Sequence, residues 1–98
     1  GRAGSAVSSG PSGVPTVRWV QLSDGGMLAE LTVEQPQWVE LQVSDIRGAV
    51  VAHVRQWIDQ GTSYVRLPTP PSASGLYFWR LALAGTGRSL GGTFVYLR

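Results

Sequence analysis

The 98-residue chain has no cysteine and no lysine, and it holds one histidine and one methionine. Without cysteine there is no disulfide, no thiol nucleophile and no cysteine-ligated metal, and the redox compartment stays open. Without lysine the eight basic residues are all arginine, set against six acids, so the net charge of +2 rests on a few guanidinium groups. Proteins that bind nucleic acid concentrate more positive charge than this on one face, so no nucleic-acid partner is expected. His53 stands alone and the acids are scattered singly, which leaves no set of three or four ligands for a metal. There is no Gly-x-Ser-x-Gly element, no phosphate-binding loop and no obvious acid/base pair of carboxylates. The expectation is therefore no enzyme and no cofactor. Long apolar runs are missing too. None approaches the roughly 20 residues that span a bilayer, and the first residues lack the charged and apolar regions of a signal peptide. No transmembrane segment is expected, and a first export signal, if the domain is exported, would have to lie upstream.

What is present is a composition of 43% hydrophobic and 14% charged residues, which is that of a folded domain, with 13 glycines and 6 prolines that imply many turns. Residues 1–15, GRAGSAVSSGPSGVP, are too poor in large apolar groups to offset their ordering entropy and read as a flexible Gly/Ser/Pro linker. Its presence suggests that residues 16–98 form the C-terminal module of a longer protein.

From Thr16 onward, short apolar stretches alternate with turn signals at roughly 8 to 12 residue intervals, the rhythm of an all-β sandwich. After a first strand over 16–22, Ala29, Leu31 and Val33 alternate with Glu30, Thr32 and Glu34 in a second over 27–34. Val39, Leu41 and Val43 repeat the pattern over 38–44, and Pro36, which lacks a ladder donor, makes EQPQ the turn between them. Asp45-Ile46-Arg47-Gly48 predicts a hairpin, with a second arm over 49–57 that places Val50, Ala52 and Val54 on one face. Its other face carries Val51, His53, Arg55 and Trp57. Gly61 ends the connection that follows, and further strands are expected over 62–67, 76–83 and 89–97. About seven antiparallel strands suit an immunoglobulin-like β-sandwich.

Asp24, Asp45 and Asp59 each stand at or beside a turn, where local hydrogen bonding accounts for them. The four tryptophans divide by alternation. Trp79 shares a face with Tyr77, Leu81 and Leu83 and belongs to the core, whereas Trp38 and Trp57 fall on the polar faces of their strands. Exposed rings on a sandwich face can stack on sugars, so Trp38 and Trp57 are candidate glycan-stacking residues. Arg55, Arg66 and Arg80 point outward, where cation–π contacts or pairing with Glu30 or Glu40 are ordinary surface stabilisation.

Read in order, VELQVSDIRGAVV, RLPTPPSASGLYFWRLAL and a final GGTFVYLR resemble the C-terminal sorting domain of the type IX secretion system. Asp45, Ile46 and Gly48 match its Asp-apolar-x-Gly element, and Gly75, Leu76 and Tyr77 match its Gly-apolar-Tyr element. Phe94, Val95, Leu97 and Arg98 match its apolar and basic last strand, and with Tyr96 they form the candidate recognition strand. The resemblance covers 27–98, about three quarters of the chain. It implies a non-catalytic signal that directs an upstream passenger through the periplasm and across the outer membrane. The implied partners are the outer-membrane translocon and a sortase-like peptidase that cuts in or near 1–15 and leaves the passenger on the cell surface or secreted. On this reading Gly75 permits the tight turn into its strand, Phe78 and Arg80 face out, the last strand is recognised by strand addition, and Arg88 and Arg98 supply charge contacts. The alternative from composition is a carbohydrate-binding or spacer β-sandwich module of a secreted bacterial enzyme.

Overall fold

Period-two alternation shapes seven strands, and the computed structural model, which describes residues 15–98, contains no helix among them. They are β1 (Thr16–Gln21), β2 (Met27–Val33), β3 (Gln37–Ser44), β4 (Val50–Ile58), β5 (Gly61–Arg66), β6 (Gly75–Leu83) and β7 (Arg88–Tyr96). The expected strand bounds agree to within a residue. The reading of residues 1–14 as linker lies outside the described residues.

β1, β2 and β5 form one antiparallel sheet in the order β1-β2-β5, and the other four strands form a second in the order β4-β3-β6-β7. The two face each other as an immunoglobulin-like sandwich, with the fourth strand joined to the larger sheet. Between them lie Ala29, Leu31, Val39, Leu41, Val43, Val65 and Leu81, all fully or almost fully buried. In β2 and β3 every second residue enters this core, as the alternation predicts.

Two turns show how local chemistry sets the hairpins. Asp45 Oδ1 accepts from the backbone N–H groups of Arg47 (2.9 Å) and Ala49 (3.0 Å), and Gly48 adopts φ +86°, where a side chain is strained. Asp24 does the same at the β1–β2 turn, accepting from the Gly26 N–H at 2.9 Å.

β4 departs from the expected pattern. Val43 faces Ala52 but Ser44 faces Val50, so Val51 is an extra residue, a β-bulge. The bulge shifts the phase of the strand's first residues: Val50, expected inside, is 53% exposed, and Val51, expected outside, packs against the core. Gln37, expected in the turn, is instead the first residue of β3 and is buried. Its amide oxygen accepts from the Gly85 N–H at 2.9 Å and its nitrogen donates to the Gln35 carbonyl, tying the β2–β3 turn to the β6–β7 turn.

An aromatic seam closes the side where β1 and β7 meet. Trp19 stacks on Phe94 with centroids 4.4 Å apart, Tyr77 stacks on Phe94 at 5.7 Å, and Trp79 lies 6.2 Å from Trp19. The register sets Gly92 beside Trp79, and a Cβ there would come within 3.0 Å of the indole nitrogen, so the bare backbone of β7 makes room for the ring. Trp19 Nε1 is buried in this seam without a hydrogen-bond partner. Such an orphan costs about 1–3 kcal/mol; burial and stacking of the rings offset it.

Candidate functional site

The outer face of the four-stranded sheet gathers most of the exposed residues singled out from the sequence. Beyond the bulge, the β3–β4 register sets Trp38 opposite Trp57, Glu40 opposite Arg55 and Gln42 opposite His53. The two indoles meet edge to face with centroids 5.8 Å apart, and they remain 42% and 50% exposed. The Arg55 guanidinium lies 4.5 Å from the Trp38 ring centroid, a cation–π arrangement that holds the ring from one side. Arg55 does not bridge to Glu40, its register partner; Glu40 Oε2 is instead 2.7 Å from His53 Nε2. The other outward arginines divide: Arg66 pairs with Asp24 at 2.8 Å, and Glu30 is taken by Arg18 at 3.6 Å and by the Tyr64 hydroxyl at 3.2 Å.

Next to Trp38 a cleft of about 240 Å³ opens toward the β6–β7 turn, with Ala82 and Ala84 on its wall and Arg55, Glu40, Arg88 and Ser89 around it. Ser89 was not among the residues singled out for a site, and Arg88 was expected to serve recognition of the last strand rather than to border a cleft beside Trp38. They arrive because β3 pairs with β6 and β6 with β7, which sets Glu40, Ala82 and Ser89 in one row. No local pattern announces that row. Only the pairing of strands far apart in the chain creates it.

The family-like motif residues gather at the opposite end of the sandwich. Asp45, Gly75 and Tyr77 border one hollow of about 310 Å³, together with Ser72 and Ala73, while Gly48 stays in the adjoining hairpin turn. Tyr77 is buried and its hydroxyl donates to the Ala73 carbonyl, four residues upstream, at 2.7 Å. That geometry, near the start of the sixth strand, is a tyrosine corner, which pins the loop carrying the chain into the strand. The motif residues thus have a structural task in turn and corner.

The candidate recognition strand divides by face. Phe94 and Tyr96 are buried, so their side chains belong to the core, and Val95 is 60% exposed on the outer face beside Leu76. Leu97 and Arg98 lie beyond the end of β7. The Gln21 side chain holds Leu97 as a neighbouring strand would: its oxygen accepts the Leu97 N–H at 3.1 Å and its nitrogen donates to the Leu97 carbonyl. The Arg98 N–H donates to Ser74 Oγ at 2.7 Å, its guanidinium donates to the Ser72 carbonyl, and the Tyr96 hydroxyl donates to the Gly25 carbonyl at 2.7 Å. Along Arg88–Tyr96, β7 has β6 on one side and no strand on the other among the described residues.

Two carboxyl groups are perturbed. The Arg66 guanidinium and the Gly26 N–H hold Asp24 below its ordinary value. At Asp45, partial desolvation pushes upward, but the N–H bonds from Ala49 and Arg47 and the Arg47 guanidinium outweigh it and keep the group low. Both shifts belong to turns. Among the described residues no group of three or more His, Asp or Glu converges as a metal site would require, and no helix is long and apolar enough to cross a membrane.

No protein-family model matches the chain, and comparison with curated proteins finds no match.

Proposed function

We propose that the domain is a non-catalytic C-terminal signal that directs export of an upstream passenger across the outer membrane by a type IX secretion system. One observation carries the reading: the last strand, β7, forms an edge of the larger sheet, its outer side unpaired among the described residues and its Val95 exposed. Unpaired N–H and C=O groups on an edge are a template for strand addition, and alternate side chains then supply specificity. The ordered Asp45–Gly48 and Gly75–Tyr77 elements, resembling those of sorting domains, support it as well. The translocon reads the β7 edge in the periplasm, and a sortase-like peptidase cuts in or near residues 1–15 and leaves the passenger on the cell surface or secreted. The test is to append residues 16–98 to a periplasmic reporter in a host that has this secretion system. Surface display of the reporter is the expected result, and retention in the periplasm overturns the reading.

A second reading, a carbohydrate-binding module, is favoured by the edge-to-face Trp38–Trp57 pair on the outer face. Titration with soluble polysaccharides, followed by tryptophan fluorescence, is expected to shift the emission. An unchanged spectrum across common plant and bacterial glycans rules this reading out.

A further inference from the structure

We infer that the open edge of β7 pairs with the same edge of a second copy of this chain, antiparallel and about a two-fold axis at Gly92, so that the two larger sheets continue into one. The inference uses the edge on which the export reading also rests but does not depend on that reading, because pairing needs only the free backbone of β7.

The hydrogen bonds just past β7 show which backbone groups are free. The Arg98 N–H donates to Ser74 Oγ, on the β6 side, whereas Gln21 of β1 holds the N–H and C=O of Leu97 from the other side. Backbone groups along a strand turn to alternate sides, so the even-numbered residues of β7 bond to β6 and Ser89, Gly91, Thr93 and Val95 direct their N–H and C=O groups to the open edge. Among the described residues nothing pairs with those four, and Gln21 ends the free stretch at Leu97.

The other sheet edges are blunted. β4 carries the bulge at Val51 and sets His53, Arg55 and Trp57 along its outer face, while β1 and β5 are six residues long and carry Arg18 and Arg66. Such devices keep one edge from adding to another. From Ser89 to Val95, β7 has no charge and no proline, its ladder with β6 is regular, and its outer-face side chains are those of a serine, a glycine, a threonine and a valine.

This stretch is also complementary to itself. In one antiparallel register, with Ser89 opposite the second copy's Val95 and Gly91 opposite its Thr93, every free N–H and C=O of the four residues finds a partner. A slip of two residues sets either Val95 against the Gly87 turn or Ser89 against the capped Leu97. No like charges meet in the full register, since Arg88 stands opposite the second copy's Tyr96. That self-match favours a second copy over an unrelated strand. Where the edge also serves as the export signal, the paired form is closed to the translocon.

The experiment is sedimentation equilibrium of the full 98-residue chain from about 10 μM to 1 mM, where a small interface associates. The mass is expected to rise from 10.5 kDa toward twice that value. Because the chain has no cysteine, introduced thiols report the register cleanly. Ser89→Cys mixed with Val95→Cys is expected to give a disulfide on mild oxidation, and neither variant alone is, since like positions lie about 20 Å apart in this register. Thr93→Pro removes a donor on the open side only, and Thr93→Lys sets two charges diagonally across the axis. Each is expected to weaken the dimer tenfold or more; Thr93→Lys keeps the test sound should the proline disturb the fold, which circular dichroism reports. A monomer throughout the range overturns the pairing and leaves the export reading standing, with the edge free for another strand. A disulfide formed by either cysteine variant alone, or a dimer that persists in folded Thr93→Lys, overturns the pairing as well.

Discussion

The inner and outer faces of the larger sheet are made by the same strands, one residue apart, and they do different things. Inside, Val39, Leu41, Val43, Leu81 and Leu83 are buried against the smaller sheet. Outside, Trp38, Glu40, Gln42, Phe78 and Arg80 stay in water. The inner face carries the stability, since burying an aliphatic side chain contributes about 1.5–3 kcal/mol. The outer face spends little on stability and keeps its chemistry available: an indole pair with Arg55 against it at one end, an aliphatic edge around Leu76 and Val95 at the other. A change of a single position in the chain therefore moves from one role to the other.

The comparison is broken most directly by exchanging neighbours across the sheet. Leu41→Ala is expected to cost about 2–5 kcal/mol and lower Tm by roughly 10 °C or more, whereas Gln42→Ala next to it stays within about 0.5 kcal/mol in urea unfolding. Equal losses at the two positions would show that the faces are not separated as described. Tyr77→Phe keeps the buried ring and removes only the corner bond to Ala73, so a loss of about 1 kcal/mol is expected. A variant as stable as the parent would deny the corner any energetic part.

The turns respond to pH rather than to packing. Asp24 and Asp45 have folded-state values held below the ordinary one, so their contribution is complete above the unfolded value of about 3.9 and is lost as pH falls through the folded value. Melting between pH 6 and 2 is expected to show Tm falling at the acid end, and Asp24→Asn with Asp45→Asn is expected to flatten that fall. A slope unchanged in the double variant would place the acid sensitivity elsewhere. The smallest change in stability is expected for Val95→Asp, within about 0.5 kcal/mol because the side chain is exposed. The same variant is expected to sharply reduce surface display of a fused reporter, because it puts charge on the edge that strand addition would use. Export at the parent level would separate the edge from the signal.

Local alternation was enough to read most of the architecture. It placed Leu31, Val39, Leu41 and Leu81 inside and Trp38, Phe78 and Arg80 outside, because side chains on a strand turn to opposite faces with period two whatever the partner strand is. The Asp-x-x-Gly turn was readable for the same reason: its hydrogen bonds run between residues two and four apart.

Register across strands is another matter, and the bulge at Val51 shows why. Regular pairing continued from Ser44 and Val50 would set Trp38 opposite Gln56 and Glu40 opposite Val54, with β4 turned over relative to β3. The extra residue corrects the phase, returns Ala52 and Val54 to the core side and brings Trp57 across from Trp38. Likewise Arg88 and Ser89 reach the Trp38 cleft only through two successive strand pairings. The sequence by itself determined which residues turn inward along the regular parts of the strands, though not at Val50, Val51 or Gln37, and roughly where the chain reverses, since both are settled within a few residues. Only the tertiary structure decided which outward residues meet, because demands that arise across the whole sandwich, burying both inner faces at once, select the bulge and the register.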